Sequence, residues 1–138
     1  MMNCVPYNFD MEIREGGTYD KYHRWSIVGG SPVPINGFTA LFTGRKKLTD
    51  DTILLSFSES STPWVADGDS GIYILDDGAD PDLVGKYQIY IKDNDTLGLC
   101  VNHKDIVGVY NMLLYNALGE AVVCQYGVLT IKASTVRI

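Results

Sequence analysis

The chain opens on a period of two. Tyr7, Phe9, Met11 and Ile13 alternate with Asn8, Asp10, Glu12 and Arg14. Successive side chains of a strand point to opposite faces, so this pattern predicts a half-buried strand. Glu15-Gly16-Gly17 ends it. A second run places Tyr19, Lys21, His23, Trp25 and Ile27 on one face and stops at Gly29-Gly30-Ser31-Pro32. Pro32 and Pro34 hold an extended connection, because each ring fixes φ and lacks an N–H. In the third run Phe38, Ala40 and Phe42 alternate with Thr39, Leu41 and Thr43, and in the fourth Ile53, Leu55 and Phe57 alternate with Leu54, Ser56 and Ser58.

Residues 64–66 suggest a short edge segment, and Ile72 and Ile74 a fifth strand. The acidic stretch Asp76-Asp77-Gly78-Ala79-Asp80-Pro81-Asp82 has the composition of a surface loop built from turns. Tyr87, Ile89 and Ile91 then alternate with Gln88, Tyr90 and Lys92. Residues 96–106 are the least regular, with room for a single helical turn. Residues 107–115 and 120–125 predict a hairpin across Asn116-Ala117-Leu118-Gly119, and Gly127 suggests a bulge or bend in its continuation to residue 136. No segment shows a sustained helical period. The expectation is an all-β chain: a single Ig-like antiparallel β-sandwich of eight or nine strands, with strands at roughly 10–15 residue intervals. It occupies residues 1–138 as one domain with short terminal arms.

Composition narrows the function. The chain has 138 residues, of which 46% are hydrophobic and 20% charged, as expected of one globular domain. Its net charge of −6 argues against a surface that tracks phosphates, so no nucleic-acid partner is expected. The apolar stretch 107–118 is too short and too interrupted to span a bilayer, so no membrane is expected either. The N-terminal residues have neither a basic nor an apolar region of a signal peptide. Cys4, Cys100 and Cys124 are odd in number and lack C-x-x-C spacing, which fits free thiols in a reducing compartment.

Candidate chemistry is sparse. Gly68-Asp69-Ser70-Gly71 matches the nucleophile segment of chymotrypsin-like proteases in four letters. A triad needs a base and an orienting carboxylate, and neither His23 nor His103 has a recognisable context, so a turn explains the letters. Asp67-Gly68-Asp69-Ser70-Gly71 begins like a calcium loop but has Gly71 at the third acidic position and Gly78 at the twelfth. No catalytic residue, metal or cofactor is expected. Tyrosine is abundant, at nine residues, and Tyr90, Tyr110 and Tyr126 compete with inward neighbours, so some are expected on an interface. Trp64, Tyr126, Val136 and Ile138 are the candidate interface residues. The long, weakly charged run 128–138 and the terminal residues 1–6 suit strand addition at an open edge.

One order of features goes further. Arg14-Glu15-Gly16-Gly17-Thr18 is followed by a strand, a proline-containing loop, the segment INGFTALF at 35–42 and a Gly-led strand at 71–75. The closing hairpin carries Gly108, Tyr110, Leu114, Gly119 and Glu120, then Gly127-Val128-Leu129-Thr130-Ile131. This pattern, over about residues 11–136, resembles the small β-sandwich domains of tailed-bacteriophage virion proteins, and is similar to the N-terminal domain of phage baseplate upper proteins. Residues 96–106 depart from it as an insert before the last hairpin. The resemblance implies a non-enzymatic virion subunit of the tail, baseplate, neck or fibre attachment, assembled in the host cytoplasm. Such a subunit works as a homo-oligomer and by docking other phage structural proteins. The alternative is a carbohydrate- or surface-binding sandwich module with an exposed aromatic such as Trp64 as its platform.

Overall fold

The computed structural model describes residues 6–26, 31–47, 52–60 and 70–133. Nine strands follow in order: β1 Tyr7–Asn8, β2 Met11–Arg14, β3 Tyr19–Arg24, β4 Thr39–Arg45, β5 Ile53–Ser60, β6 Gly71–Ile74, β7 Lys86–Ile91, β8 Ile106–Tyr115 and β9 Ala121–Lys132. One sheet has the order β1/β2, β9, β8, β4, β5, and the other runs β6, β7, β3. β5 belongs to both, pairing with β4 along most of its length and with β6 at Glu59 and Ser60. The order is that of a variable-type immunoglobulin sandwich, in which the first strand joins the last at the edge of the larger sheet.

The all-β sandwich expected from the alternation is therefore present, with an amendment. Most pairs are antiparallel, but β1 and β2 run parallel to β9, and β5 runs parallel to β6. The single strand expected over residues 7–14 is two strands in one register on β9, since Tyr7 pairs with Gln125 and Met11 with Leu129. Asp10 interrupts them because its carboxylate takes the Val128 N–H at 3.0 Å. The helix falls earlier than expected, as α1 at Asp93–Thr96, and the stretch 96–106 itself holds only a tight turn at Val101–His103.

Gly127 is not a bulge. It pairs with Tyr110, and a Cβ there would collide with the Phe9 carbonyl, so glycine is required by the close passage of the β1–β2 link. The bulge lies three residues earlier. Met112 pairs with Gln125 but Leu113 pairs with Val123, which leaves Cys124 as the extra residue. A bulge lets two successive side chains point the same way, and both Cys124 and Gln125 are fully buried.

Phe42 stacks on Phe57 at 4.5 Å between ring centres and on Tyr110 at 5.1 Å, filling the space between the sheets. Trp25, Ile35, Ile72 and Ile89 belong to the same buried core. Trp25 is fixed by backbone bonds from its N–H to the Gly85 carbonyl and from the Val33 N–H to its own carbonyl, both 2.9 Å. Gly85 has φ of 76°, and a Cβ there would stand 2.7 Å from the Trp25 carbonyl oxygen, so only glycine fits.

β9 is not an open edge. It is paired with β8 on one side and with β1 and β2 on the other. The expectation that the run from residue 128 offers itself for strand addition is thus overturned for residues 128–132: its N–H and C=O groups are already in ladders. Residues 1–5 and 134–138, the expected arms, lie outside the described residues.

Candidate functional site

The polar groups singled out in the sequence serve the fold. The Ser70 hydroxyl donates to the Asp95 carboxylate and accepts the Lys92 N–H at 2.8 Å, tying the start of β6 to the turn after β7. Asp67, Gly68 and Asp69 lie outside the described residues. His103 is exposed on its turn. His23 on β3 packs against Phe9 at 4.9 Å and Tyr87 at 5.5 Å. Burial, and secondly the Lys21 ammonium, lower its pKa to about 4, and its buried Nε2 has no hydrogen-bond partner among the described residues. No group of three or more His, Cys, Asp or Glu side chains among the described residues could hold a metal ion.

The acidic loop is not wholly a solvated surface feature. Asp76 is buried and accepts the N–H groups of Ile35 at 2.8 Å, Gly85 at 3.1 Å and Gly78 at 3.0 Å. Burial pushes its carboxyl up, but these three donors outweigh it and hold the pKa below the ordinary range. Asp77 accepts from Asp80 and Ala79 N–H groups, both at 2.9 Å, and these bonds lower its pKa too.

Two of the tyrosines expected to compete for exposure are core residues. Tyr90 and Tyr110 are buried, and only Tyr126 is exposed, at 42%. Tyr110 belongs to a polar chain between the sheets. Tyr87 on β7 donates to Gln125 Oε1, Gln125 Nε2 donates to the Tyr110 hydroxyl at 2.8 Å, and Tyr110 donates to the Phe9 carbonyl. Burial raises the pKa of both phenols, so they stay protonated as donors. Cys100 and Cys124 are buried as thiols in the core; burial first, then the Glu15 carboxylate, raises the Cys100 pKa.

What remains for interaction is a surface. On β8 the inward positions are Gly108, Tyr110, Met112 and Leu114, and the outward ones are Val107, Val109, Asn111, Leu113 and Tyr115. Register carries the outward pattern across the sheet. Val109 pairs with Val128, Asn111 with Tyr126 and Leu113 with Val123 on β9, and Leu113 also pairs with Leu41 on β4. Val107 is 66% exposed and Val128 39%. Tyr126 is the one candidate interface residue that the structure places, and it sits on this outward face. Trp64, Val136 and Ile138 lie outside the described residues, and so does the aromatic platform of the glycan-binding alternative.

Val107, Val109 and Leu113 stand on this outward face and are not among the residues singled out in the sequence. Their signal was available: residues 106–115 read as a nearly unbroken apolar run, which a strand with one solvated face does not.

No protein-family model and no curated protein matches the chain. Among solved structures, a chain from a photo-crosslinking study of multimeric cell-adhesive interactions of VGSC beta subunits is similar over 94% of this chain and 97% of its own, at 12% identity and a TM-score of 0.42. A likeness of that size bears on neither partner nor activity. The fold rests on the strand order itself.

Proposed function

We propose that this chain is a structural subunit that works by protein–protein association and carries out no catalysis. The observation that carries this reading is the outward face of β4, β8 and β9, where valines and leucines stand in register at the centre of a sheet. Val107 and Val128 are exposed there and Leu41, Val109, Leu113 and Val123 half-buried, and apolar area left in water at the centre of a sheet costs free energy that a partner removes. The setting is a tailed-bacteriophage particle, in the tail, baseplate, neck or a fibre attachment. The support for that setting is the sequence pattern of glycines and apolar positions over residues 11–136.

The test is composition of purified particles. Quantitative mass spectrometry of virions produced by the genome that encodes this chain should find it at fixed copy number, and Val109→Asp should remove it. Its absence from particles, together with glycan-array binding by the isolated monomer, would replace this reading with the carbohydrate-binding one.

A further inference from the structure

Both faces of β8 are apolar. Strands covered on both sides read this way, whereas a sheet with a solvated face alternates apolar with polar. Asn111 is the lone amide among its ten residues. The outward face also has an unusual charge. The chain carries 17 acidic against 11 basic residues, yet no acid stands at an outward position of β4, β8 or β9. Two copies at −6 each repel over the rest of their surfaces and least here.

The rows across the sheet have a symmetry of their own. Arg45, Val109 and Val128 lie side by side on β4, β8 and β9, and Asp10 ends the row beyond them, bonded to the Val128 N–H at 3.0 Å. A cation stands at one end, an acid at the other, and two valines between. The next row has Thr43, Asn111, Tyr126 and Asn8.

Building on the association role, we propose that a second copy of this chain covers the face. The two sheets pack against each other about a two-fold axis that runs parallel to the strands, between β8 and β9. That rotation lays β8 of one copy over β9 of the other, and β4 over the β1–β2 edge. Val109 then meets Val128, Asn111 meets Tyr126, and Arg45 meets Asp10, each contact occurring twice, as an isologous interface requires. Face-to-face sheets stand about 10 Å apart, within reach of interdigitating side chains. β8 lies over β9 for about ten residues, and β4 over the β1–β2 edge for the four rows they share with β8 and β9, so the covered face projects to roughly 450 Å², a weak contact beside the ~800 Å² per partner of a standard interface.

The test uses the full chain in sedimentation velocity and light scattering over a concentration series. A dimer is expected, and Val109→Asp should leave a folded monomer with an unchanged circular dichroism spectrum. The rim pair gives a sign that folding defects do not imitate. Asp10→Asn keeps an acceptor for the Val128 N–H while removing the charge. Alone it should weaken the dimer several-fold; in an Arg45→Glu background, itself weakened about tenfold, it should strengthen the dimer by relieving repulsion. A monomer at every concentration overturns the proposal, as does a dimer in which Asp10→Asn acts in the same direction in both backgrounds. A monomer that still enters particles, unless Val109→Asp is present, removes the second copy and leaves the assembly role. A dimer with these signatures that is absent from particles does the reverse.

Discussion

Gln125 Nε2 donates to the Tyr110 hydroxyl at 2.8 Å while its Oε1 accepts from Tyr87, so one amide on β9 bonds both an adjacent strand and the opposite sheet. Removing one member strands the others in the core. Gln125→Leu should cost about 2–3 kcal/mol and Tyr87→Phe about 1–2 kcal/mol in urea unfolding. The double variant should cost clearly less than the sum, because the second change removes an already orphaned group. Additive losses would mean that the two groups do not bond.

Acid should act first through His23. Its folded pKa of about 4 lies below the ordinary 6.5, so the folded state binds its proton less tightly than the unfolded chain does. Stability from this group is therefore full above 6.5, falls as pH drops from there, and is exhausted near 4. Between pH 7 and pH 5 the loss should be roughly 2 kcal/mol, read as a shift of the urea midpoint. His23→Phe keeps a ring against Phe9 and Tyr87 and should flatten that window. An unchanged slope in the variant would assign the effect elsewhere. The lowered carboxyls of Asp76 and Asp77 act at lower pH.

Asp76→Ala should be among the most damaging single changes outside the apolar core. It leaves the N–H groups of Ile35, Gly85 and Gly78 without their acceptor, at a cost of about 3 kcal/mol or more. Asp76→Asn retains one acceptor oxygen and should cost less than half of that. Equal melting temperatures for Asp76→Ala and the parent would show that water replaces the carboxylate.

A gain is expected at the turn after α1. Asn102 and His103 have φ of 57° and 58°, and the Lys104 N–H reaches the Val101 carbonyl at 3.3 Å, the signature of a turn with two left-handed central residues. Asparagine tolerates this conformation and histidine does so at a cost. His103→Gly should stabilise the protein by about 1 kcal/mol. A loss on that substitution would mean that the imidazole makes a contact worth more than the strain.

Thiol reactivity reports the bulge. Cys124 should react with a disulfide reagent only as fast as the protein opens, and Cys124→Ser should cost about 1–3 kcal/mol, since the bulge holds the side chain in the core. Labelling at the denatured rate would place it outside.

Strand positions were legible because alternation needs only local sequence: Met11 and Ile13 are buried, Glu12 and Arg14 exposed, as their period says. Partners were not. Asp76 looks like any turn acid until Ile35, 41 residues away, presents its N–H. The Cys124 bulge is a property of register with β8, invisible in β9 alone. Low charge made residues 128–132 resemble a free edge, but the same composition suits an interior strand, which is where the pairing places them. Of the outward face, residue type alone points to Tyr126, whereas placing Val109 and Leu113 beside it requires knowing which strands lie side by side.

The parallel run of β1 and β2 along β9 also decides how the domain bears load. A pull between residue 7 and residue 132 draws the two strands past each other lengthwise, because they point the same way and are gripped at opposite ends. The bonds of that ladder are strained together and fail together. An antiparallel pair gripped at one end instead opens bond by bond, like a zip. A domain built on this pairing is stiff along the strand direction, and its resistance is set by the β2–β9 seam.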